Sequence, residues 1–227
     1  MSGEAIRLNG ADLVADVSGA LWWPEERLLA VADLHLEKGS AFAAKGALLP
    51  PYDTRRTLER LQEVIGRLGP RAVLCLGDSF HDDGAVARLA VDDRAMLARL
   101  SGVCEWIWIK GNHDPEPPPG LGGGVAAEYR RGPLVFRHQA SEETIPTGEV
   151  SGHFHPKAIV RTRGRALHAR CFATDGRRLV LPAFGAYAGG LNVLDPAMRL
   201  LFAGALQVHA LGDRRVHAIA ASHLLPS

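Results

Sequence analysis

Residues 27–35 read RLLAVADLH, an apolar run that ends in Asp33 and His35. A short, continuous apolar run of this kind indicates a strand buried on both faces, with its polar residues at the carboxyl end. The same pattern recurs in AVLCLGD at residues 72–78 and in EWIWIKGNHD at residues 105–114. Helical stretches separate the three runs. The alternation of strand and helix predicts a largely parallel sheet with right-handed crossovers, whose ligand sites lie beyond the carboxyl ends of the strands.

Two helices are expected between these strands. In the first, apolar residues recur at helical spacing after Asp53 and Thr54, either of which is a suitable N-cap, and Gly69 ends the helix. The second helix is a looser amphipathic segment from Val86 to Leu100.

The chain changes character after residue 114. The segment PEPPPGLGGG at residues 115–124 is predicted to be a surface loop, because its prolines and glycines continue neither a helix nor a central strand. Strand-like segments follow, with hairpin turns at Asp175-Gly176 and Gly212-Asp213. We therefore expect two packed sheets with helices outside. Metal-capable residues occur in both halves and must meet, which favours one domain over residues 1–227.

Seven metal-capable side chains occur where strands are expected to end in loops. A carboxylate shared by two ions holds them about 3.5 to 4 Å apart, the separation that suits attack on a phosphoryl group, and Asp78 is the candidate bridge. Mixed imidazole, carboxylate and amide ligands favour Mn²⁺ or a related transition ion over Ca²⁺. His138 alone would be interpreted as a core residue, but its position between two clusters makes it a candidate ligand. The seven are Asp33, His35, Asp78, Asn112, His138, His153 and His155.

The sequences GNHD and GHFH carry the most specific signals. Gly111 permits close approach of the backbone, His113 can donate a proton, and Asp114 is expected to hold that imidazole protonated and oriented. His153 and His155 are expected on the same side of an extended segment, which suits one histidine for each of two ions.

Two further residues are candidates for contact with a substrate phosphate. His81 lies three residues after the candidate bridge Asp78, and Lys38 lies three after His35. Their alternative interpretations are a hydrogen-bonding partner of a metal ligand for His81 and a solvated side chain for Lys38.

Composition and charge narrow the class of protein. The chain has 227 residues, a net charge of +1, and 47% hydrophobic and 22% charged residues, as expected for a globular protein. The N-terminus lacks an export signal and no apolar run is long enough to span a membrane, so a cytoplasmic protein is expected. Three cysteines without CxxC spacing argue against a thiolate zinc site and agree with a reducing compartment.

Some surface features allow two interpretations. Arginines crowd residues 161–178, which indicates either a basic surface that attracts a phosphate backbone or a solvated arginine-rich hairpin. The apolar residues near both ends cover either the core or a homodimer interface: Trp22, Trp23, Leu224 and Leu225.

The ordered set D-x-H, G-D, G-N-H-D, H and G-H-x-H, from Asp33 to His155, resembles the calcineurin-like metallophosphoesterase superfamily. That resemblance implies an α/β fold, a four-layer α/β/β/α sandwich of two mixed β-sheets flanked by helices. It also implies that His113 is the general acid or stabilises the transition state. The implied ligands are Asp33, His35, Asp78 and His155 for the first metal, and Asp78, Asn112, His138 and His153 for the second.

A resemblance to a narrower family rests on segments that extend beyond the metal ligands. The segments DLHLEKGSAF, LLPPYDTRRTL, GDSFHD and RCFATDGRRLVLPAFGAYAGGLN resemble the bacterial ligase-associated DNA damage response endonuclease family. This implies a manganese-dependent nuclease that acts on single-stranded DNA in repair and is encoded beside an ATP-dependent DNA ligase, a helicase and an exonuclease.

Two other functions remain as alternatives. The first is a metal-dependent phosphoesterase that acts on small phosphoesters such as nucleotides. The second is a noncatalytic scaffold for repair partners, which is disfavoured because His113 and all seven ligands are present.

Overall fold

The computed structural model of the protein describes residues 3–47, 49–114, 120–141 and 148–227. The first eight strands are β1 Glu4–Leu8, β2 Ala11–Ala15, β3 Leu21–Trp23, β4 Leu28–Val31, β5 Ala72–Leu76, β6 Glu105–Ile109, β7 Gly124–Ala126 and β8 Glu128–Arg131. The later strands are β9 Leu134–Arg137, β10 Glu149–Ser151, β11 Lys157–Arg161, β12 Ala166–Thr174, β13 Arg178–Val180, β14 Gln207–Leu211, β15 Val216–Ile219 and β16 Leu224–Leu225. The helices are α1 Lys38–Ala44, α2 Asp53–Leu68, α3 Ala85–Arg88, α4 Val91–Ser101 and α5 Pro196–Arg199, with a 3₁₀ turn at Ala221–His223.

The described strands of the first half form a sheet in the order β1-β2-β3-β4-β5-β6-β7. Strands β1 to β4 pair antiparallel, whereas β4 to β7 are parallel. Strands β4 and β5 are buried along their whole length. The predicted succession of buried strand, helix and buried strand is confirmed, and it brings the carboxyl ends of β4, β5 and β6 to one edge of the sheet.

Helices α2 and α4 cover the outer face of this sheet. Apolar residues of α2, among them Leu58 and Leu61, pack with Val73 of β5 and Trp106 of β6 in one buried cluster. The predicted end of α2 is confirmed, because Gly69 follows it in the left-handed conformation with a φ of 58°.

The predicted N-cap of α2 is wrong. The helix begins at Asp53 after Tyr52, and neither side chain caps it. Asp53 Oδ2 instead accepts a hydrogen bond from the backbone N–H of Gly39 (3.0 Å). The hydroxyl of Thr54 accepts from the backbone N–H of Glu37 (2.8 Å) and donates to its carboxylate (2.9 Å). Both polar side chains therefore fasten α2 to the start of α1, beside the loop that carries Asp33 and His35.

The expected single helix from Val86 to Leu100 is two helices. Leu89 and Ala90 adopt extended backbone between α3 and α4, with ψ angles of 127° and 146°. The break lets the side chain of Leu89 turn inward, where it is buried in the cluster beneath α2 and α4. Burial of an apolar residue thus overrides the weak helical periodicity at this point.

The described strands of the second half form a mixed sheet along the path β15-β14-β12-β13-β10-β9-β8, with β11 pairing with β12 and β16. Strands β9, β10 and β13 are parallel, and the others pair antiparallel. The predicted hairpin turns join β12 to β13 and β14 to β15. Two mixed sheets are therefore confirmed.

The two sheets pack face to face around an apolar core. Leu74 of β5 and Phe136 of β9 are fully buried there with Phe172 of β12. The sheets also join at one edge, where the backbone N–H of Phe184 donates to the carbonyl of Ala32 (2.7 Å). The expected helical layer over the second sheet is thin, because among the described residues it consists of the four-residue α5 and its flanking loops.

Three of the four apolar residues near the two ends contribute to the core, whereas Leu225 is half-buried and lines a surface cleft. Trp23 and Leu224 are buried, and Trp22 packs partly buried against the outer cluster of the first sheet. A homodimer stays a prediction. Of the expected loop at residues 115–124, positions 115–119 lie outside the described residues, and Gly124 begins strand β7. Within the described ranges, no helix combines the length and apolar character needed to cross a membrane.

Candidate metal centre

The seven predicted ligands all follow the carboxyl ends of parallel strands. Asp33 and His35 follow β4, Asp78 follows β5 and Asn112 follows β6 in the first sheet. In the second sheet His138 follows β9, whereas His153 and His155 follow β10. Because the sheets face one another and join beside Asp33, these loops converge at one edge of the sandwich.

The first cluster consists of Asp33, His35 and His155. One ligand atom from each lies within 4.8 Å of the others, a spacing that a single cation can bridge. His155 Nε2 lies 3.4 Å from Asp33 Oδ1 and 3.3 Å from His35 Nε2. Asp33 is completely buried, and its other oxygen accepts a hydrogen bond from the backbone N–H of His153 (2.9 Å).

The second cluster consists of Asp78, His138 and His153, again with ligand atoms within 4.8 Å of one another. His138 Nε2 lies 3.1 Å from His153 Nδ1 and 3.5 Å from Asp78 Oδ2. Asn112 Oδ1 joins this group at 2.8 Å from His138 Nε2. The clusters adjoin, since Asp33 Oδ1 is 3.7 Å from His138 Nδ1. Asp78 belongs to the second cluster here, and its role as a bridge to the first stays a prediction.

The ligand sets fit divalent cations on the evidence of their unpaired atoms. His138 Nδ1 lies 3.0 Å from the carbonyl oxygen of Leu76, to which it can donate, so Nε2 is the ring nitrogen that faces Asp78. Asp33 Oδ1 is buried and accepts no hydrogen bond from any described residue, although imidazole nitrogens surround it. A buried carboxylate oxygen such as Asp33 Oδ1, which has imidazole nitrogens around it and no hydrogen-bond donor among the described residues, is stabilised when a cation binds between these atoms.

Electrostatics keep two of the imidazoles in the form that binds metal. Burial, together with the neighbouring charge of His155 and then Lys38, lowers the pKa of His35 to about 2. Burial and the proximity of His138 lower the pKa of His153. Both rings are therefore neutral at physiological pH and have a lone pair for a metal ion.

The backbone of the ligand loops is unusual. The φ angles of Asp33, His35, Asp78, His153 and His155 lie between 44° and 68°, in the left-handed region that residues other than glycine rarely adopt. The prediction that His153 and His155 lie on an extended segment is therefore wrong. Each histidine nevertheless joins a different cluster, because two left-handed residues turn the chain sharply after β10. Strained conformations of this kind concentrate at functional sites.

Two glycines of the motifs are required by close approach. A Cβ on Gly111 would lie 2.2 Å from the backbone nitrogen of Asp78 and 2.4 Å from its Oδ1. A Cβ on Gly152 would lie 2.5 Å from Asp33 Oδ2. In each case the absent side chain makes room for a metal-capable carboxylate from another loop.

His113 lies at the exposed rim of the centre. Its Nδ1 is 2.9 Å from the carbonyl oxygen of His81, which leaves Nε2 available to a substrate. The ring stacks on that of His81, with centroids 5.4 Å apart and planes at 21°, and meets the ring of His35 edge-on at 5.2 Å. The backbone N–H of His113 donates to Asp78 Oδ1 (2.8 Å). A backbone hydrogen bond therefore links the candidate acid His113 to the candidate metal ligand Asp78.

The predicted contact between Asp114 and the His113 ring is wrong. The buried carboxylate of Asp114 accepts hydrogen bonds from the backbone N–H groups of Ser79 (2.8 Å) and Phe80 (3.2 Å), and thus braces the loop after β5. Burial raises the pKa of Asp114 to about 7, and the charge of Asp78 acts in the same direction. The carbonyl of His81, not a carboxylate, orients His113.

The two predicted phosphate contacts lie at the rim of the centre. His81 is half-buried beside His35, with ring centroids 5.8 Å apart. Lys38 begins α1, and its charge is close enough to lower the pKa values of His35 and His81, although burial is the larger cause for both. Burial also lowers the pKa of Lys38, and the charge of Lys157 contributes. Sequence reasoning missed Lys157, which follows the GHFH motif by two residues.

Two arginines of the stretch at residues 161–178, for which a basic surface and a solvated hairpin were both open, make contacts inside the protein. Arg170 donates to the carbonyl of Ala183 (2.8 Å) and is half-buried, and burial lowers its pKa. Arg178 is 2% exposed and pairs with the buried Glu149 at 2.6 Å. Only part of the predicted basic surface is therefore available to a ligand.

The fold and the two clusters together define a metal-dependent phosphoesterase. Residues 26–172, more than half of the chain, match the model of the calcineurin-like phosphoesterase family. The chain belongs to that family, as the order of its motifs predicts. No curated protein matches the chain significantly in sequence.

Two solved structures illustrate the similarity. The crystal structure of Pseudomonas putida nuclease MPE aligns with 96% of this chain and 100% of its own, at 26% identity and a TM-score of 0.74. YfcE, a phosphoesterase from E. coli, aligns with 85% of this chain and 98% of its own, at 18% identity and a TM-score of 0.44.

Proposed function

We propose that this phosphoesterase is a manganese-dependent endonuclease that hydrolyses phosphodiester bonds of single-stranded DNA during DNA repair. The observation that carries the proposal is the pair of adjoining metal-capable clusters, joined through Asp33 and His138 at 3.7 Å, at an accessible edge of the sandwich. Similarity to the nuclease MPE over nearly the whole chain supports a nucleic acid as the substrate.

The ligand sets of the proposed enzyme follow the two clusters. When bound, two divalent ions supply activated water and neutralise charge on the phosphoryl oxygens under attack. The mixed nitrogen and oxygen ligands suit Mn²⁺. The first set is Asp33, His35, Asp78 and His155, and the second is Asp78, Asn112, His138 and His153.

His113 is the proposed general acid. Its Nδ1 donates to the carbonyl of His81, which fixes the ring so that Nε2 faces the substrate side. A proton from Nε2 reaches the departing oxygen of the cleaved ester, or holds it by a hydrogen bond, as charge develops there. Asp114 acts indirectly in this scheme, because it fixes the backbone of residues 79–80 next to His81.

Charged groups on both sides of the centre favour a polymer as the substrate. A cleft of about 450 Å³ adjoins Asn112 and His138 on one side. Lys110 lies in its wall, as does Arg137, which is paired with Glu128 at 2.8 Å. Lys38 and His81 lie at the rim next to His35, where we propose that they contact the substrate phosphate. An endonuclease has to hold the strand on both sides of the cleaved bond, and this distribution allows it.

The cellular setting is also proposed. By family resemblance the enzyme works in the cytoplasm in one pathway with an ATP-dependent DNA ligase, a helicase and an exonuclease. The three cysteines are free, as a reducing compartment requires.

A parallel digestion tests the proposal. Purified protein is incubated with Mn²⁺ and circular single-stranded DNA, duplex DNA or the small diester bis(4-nitrophenyl) phosphate. We expect the circle to be cut, because only an endonuclease opens a strand without ends, and we expect activity to disappear with EDTA. Hydrolysis of the small diester alone would favour the alternative of a small-phosphoester enzyme. No hydrolysis of any substrate would contradict the proposal.

A further inference from the structure

One face of α1 combines an exposed aromatic ring with two cations. Lys38 and Phe42 lie four residues apart in α1, and Lys45 follows the last residue of the helix, three positions after Phe42. This spacing places the three side chains on one side of the segment, along about 10 Å. Gly39 and Ala41 are the buried residues of this helix. Phe42 is 37% exposed, although a ring of this size would normally be buried in the core.

This face adjoins the metal centre through stacked rings. The ring of Phe42 lies 6.0 Å from that of His81, tilted by 36°. His81 in turn stacks on His113, and both rings lie within 5.8 Å of the ring of His35. A planar ligand resting on Phe42 would therefore lie at the rim of the centre, with the ring of His81 between Phe42 and the proposed general acid.

The cations flank this aromatic position. Lys38 opens α1 and Lys45 follows its last residue, so the two amines stand on either side of Phe42 along the segment. Asp82 has the opposite charge, but its carboxylate is paired with Arg88 at 2.7 Å. The helix face thus has a net positive charge beside an exposed aromatic ring.

We propose that Phe42 is a stacking platform for an unpaired nucleobase of the substrate strand, with Lys45 holding an adjoining backbone phosphate. The proposal deepens the proposed nuclease function and rests on it. A base can stack on the protein only when its own face is free, as it is in a single strand, whereas bases of a duplex stack on their neighbours. Phe42 would therefore contribute to a preference for single-stranded substrates.

The test compares three substrates with wild-type protein and Phe42→Ala in Mn²⁺. They are a single-stranded oligonucleotide, an oligonucleotide of equal length made of abasic sites, and bis(4-nitrophenyl) phosphate. We expect Phe42→Ala to lower kcat/KM on the normal oligonucleotide about 10-fold, as the loss of one base stack requires. The abasic strand and the small diester should be hydrolysed equally by both proteins, since neither has a base to stack on the ring.

Three controls separate stacking from a structural effect. Phe42→Trp should restore oligonucleotide cleavage, because indole is also a stacking surface. Leu200→Ala removes an apolar side chain that is 84% exposed in the outer layer of the second sheet, far from the metal ligands in sequence, and should leave all three rates unchanged. Lys45→Gln should weaken oligonucleotide binding. It should also make the slope of the logarithm of the binding constant against the logarithm of the salt concentration shallower by about 0.7, the value for one phosphate contact on a single strand.

The outcomes distinguish the two proposals. If wild-type protein cleaves the oligonucleotide and Phe42→Ala cleaves it equally well, stacking is overturned and the nuclease stands. An equal loss on all three substrates would also overturn stacking, because it would indicate damage to the metal centre. If wild-type protein hydrolyses the small diester but neither oligonucleotide, the nuclease proposal fails, and the stacking proposal fails with it.

Discussion

In the second sheet, we expect the free energy of unfolding to depend most strongly on the buried ion pair of Arg178 and Glu149. Arg178 is 2% exposed and Glu149 is fully buried, with Nε and Oε1 2.6 Å apart. The guanidinium also donates to the carbonyls of Leu201 and Ser141, each at 2.8 Å. Glu149 begins β10, the strand that leads into the loop of His153. The substitution Arg178→Met removes the charge and keeps much of the volume.

The expected loss follows from the environment of the remaining carboxylate. Removal of one partner from a buried ion pair typically costs about 3 to 5 kcal/mol, because the other charge stays buried without it. Glu149 would keep a hydrogen bond from the Ser141 N–H (3.1 Å) and a weaker interaction with Arg137 at 3.6 Å. We therefore expect the lower end of the range, about 3 kcal/mol, which corresponds to a fall of about 6 to 12 °C in Tm.

Urea unfolding followed by circular dichroism measures this loss. We propose that residues 1–227 form one domain, so wild-type protein should unfold in a single transition. Arg177→Met alters the exposed neighbouring arginine and should change the free energy of unfolding by less than about 0.5 kcal/mol. The double variant Arg178→Met with Glu149→Leu should recover part of the loss. A loss below about 1 kcal/mol for Arg178→Met alone would refute the reasoning.

Three other variants test different parts of the structure. His113→Ala should lower turnover about 10²- to 10⁴-fold while Mn²⁺ binding by calorimetry is retained; unchanged turnover would exclude the acid role. Gly111→Ala should destabilise the protein by about 1 to 3 kcal/mol and weaken Mn²⁺ binding, because the added Cβ meets Asp78; unaltered melting and affinity would contradict this steric argument. Burial lowers the pKa of His209 below its ordinary 6.5, so the stability due to its neutral form is present above pH 6.5 and is lost as pH falls below it. His209→Leu should therefore gain stability relative to wild type as pH is lowered from about 7.5 to 5 in urea titrations, and a constant difference would argue against burial as the cause.

The first half of the fold was predictable from local patterns. The apolar runs that end in Asp33, Asp78 and Asn112 are too short for buried helices and therefore favour buried strands, and parallel strands present their carboxyl ends at one edge. The order of the strands alone therefore predicts that the candidate ligands of the first sheet lie together at one edge. The spacing of His153 and His155 indicates one histidine for each cluster, and the two do lie in different clusters, although their backbone is left-handed and not extended.

The remaining features depend on contacts distant in sequence. Asp114 binds backbone groups 34 and 35 residues away, so its adjacency to His113 in the motif was misleading. Arg178 is buried because Glu149 on a neighbouring strand offers a partner, and no local pattern distinguishes it from an exposed arginine such as Arg177. Phe42 belongs to a short helix whose exposed face becomes meaningful only once His81 lies beside it.

Anomalous diffraction from a crystal soaked in Mn²⁺ tests the central claim most directly. The account predicts two neighbouring manganese peaks, one in contact with Asp33, His35 and His155, the other with Asn112, His138 and His153, and Asp78 touching both. A single peak at saturating Mn²⁺, or two peaks with no shared carboxylate, would contradict a centre in which two ions act together.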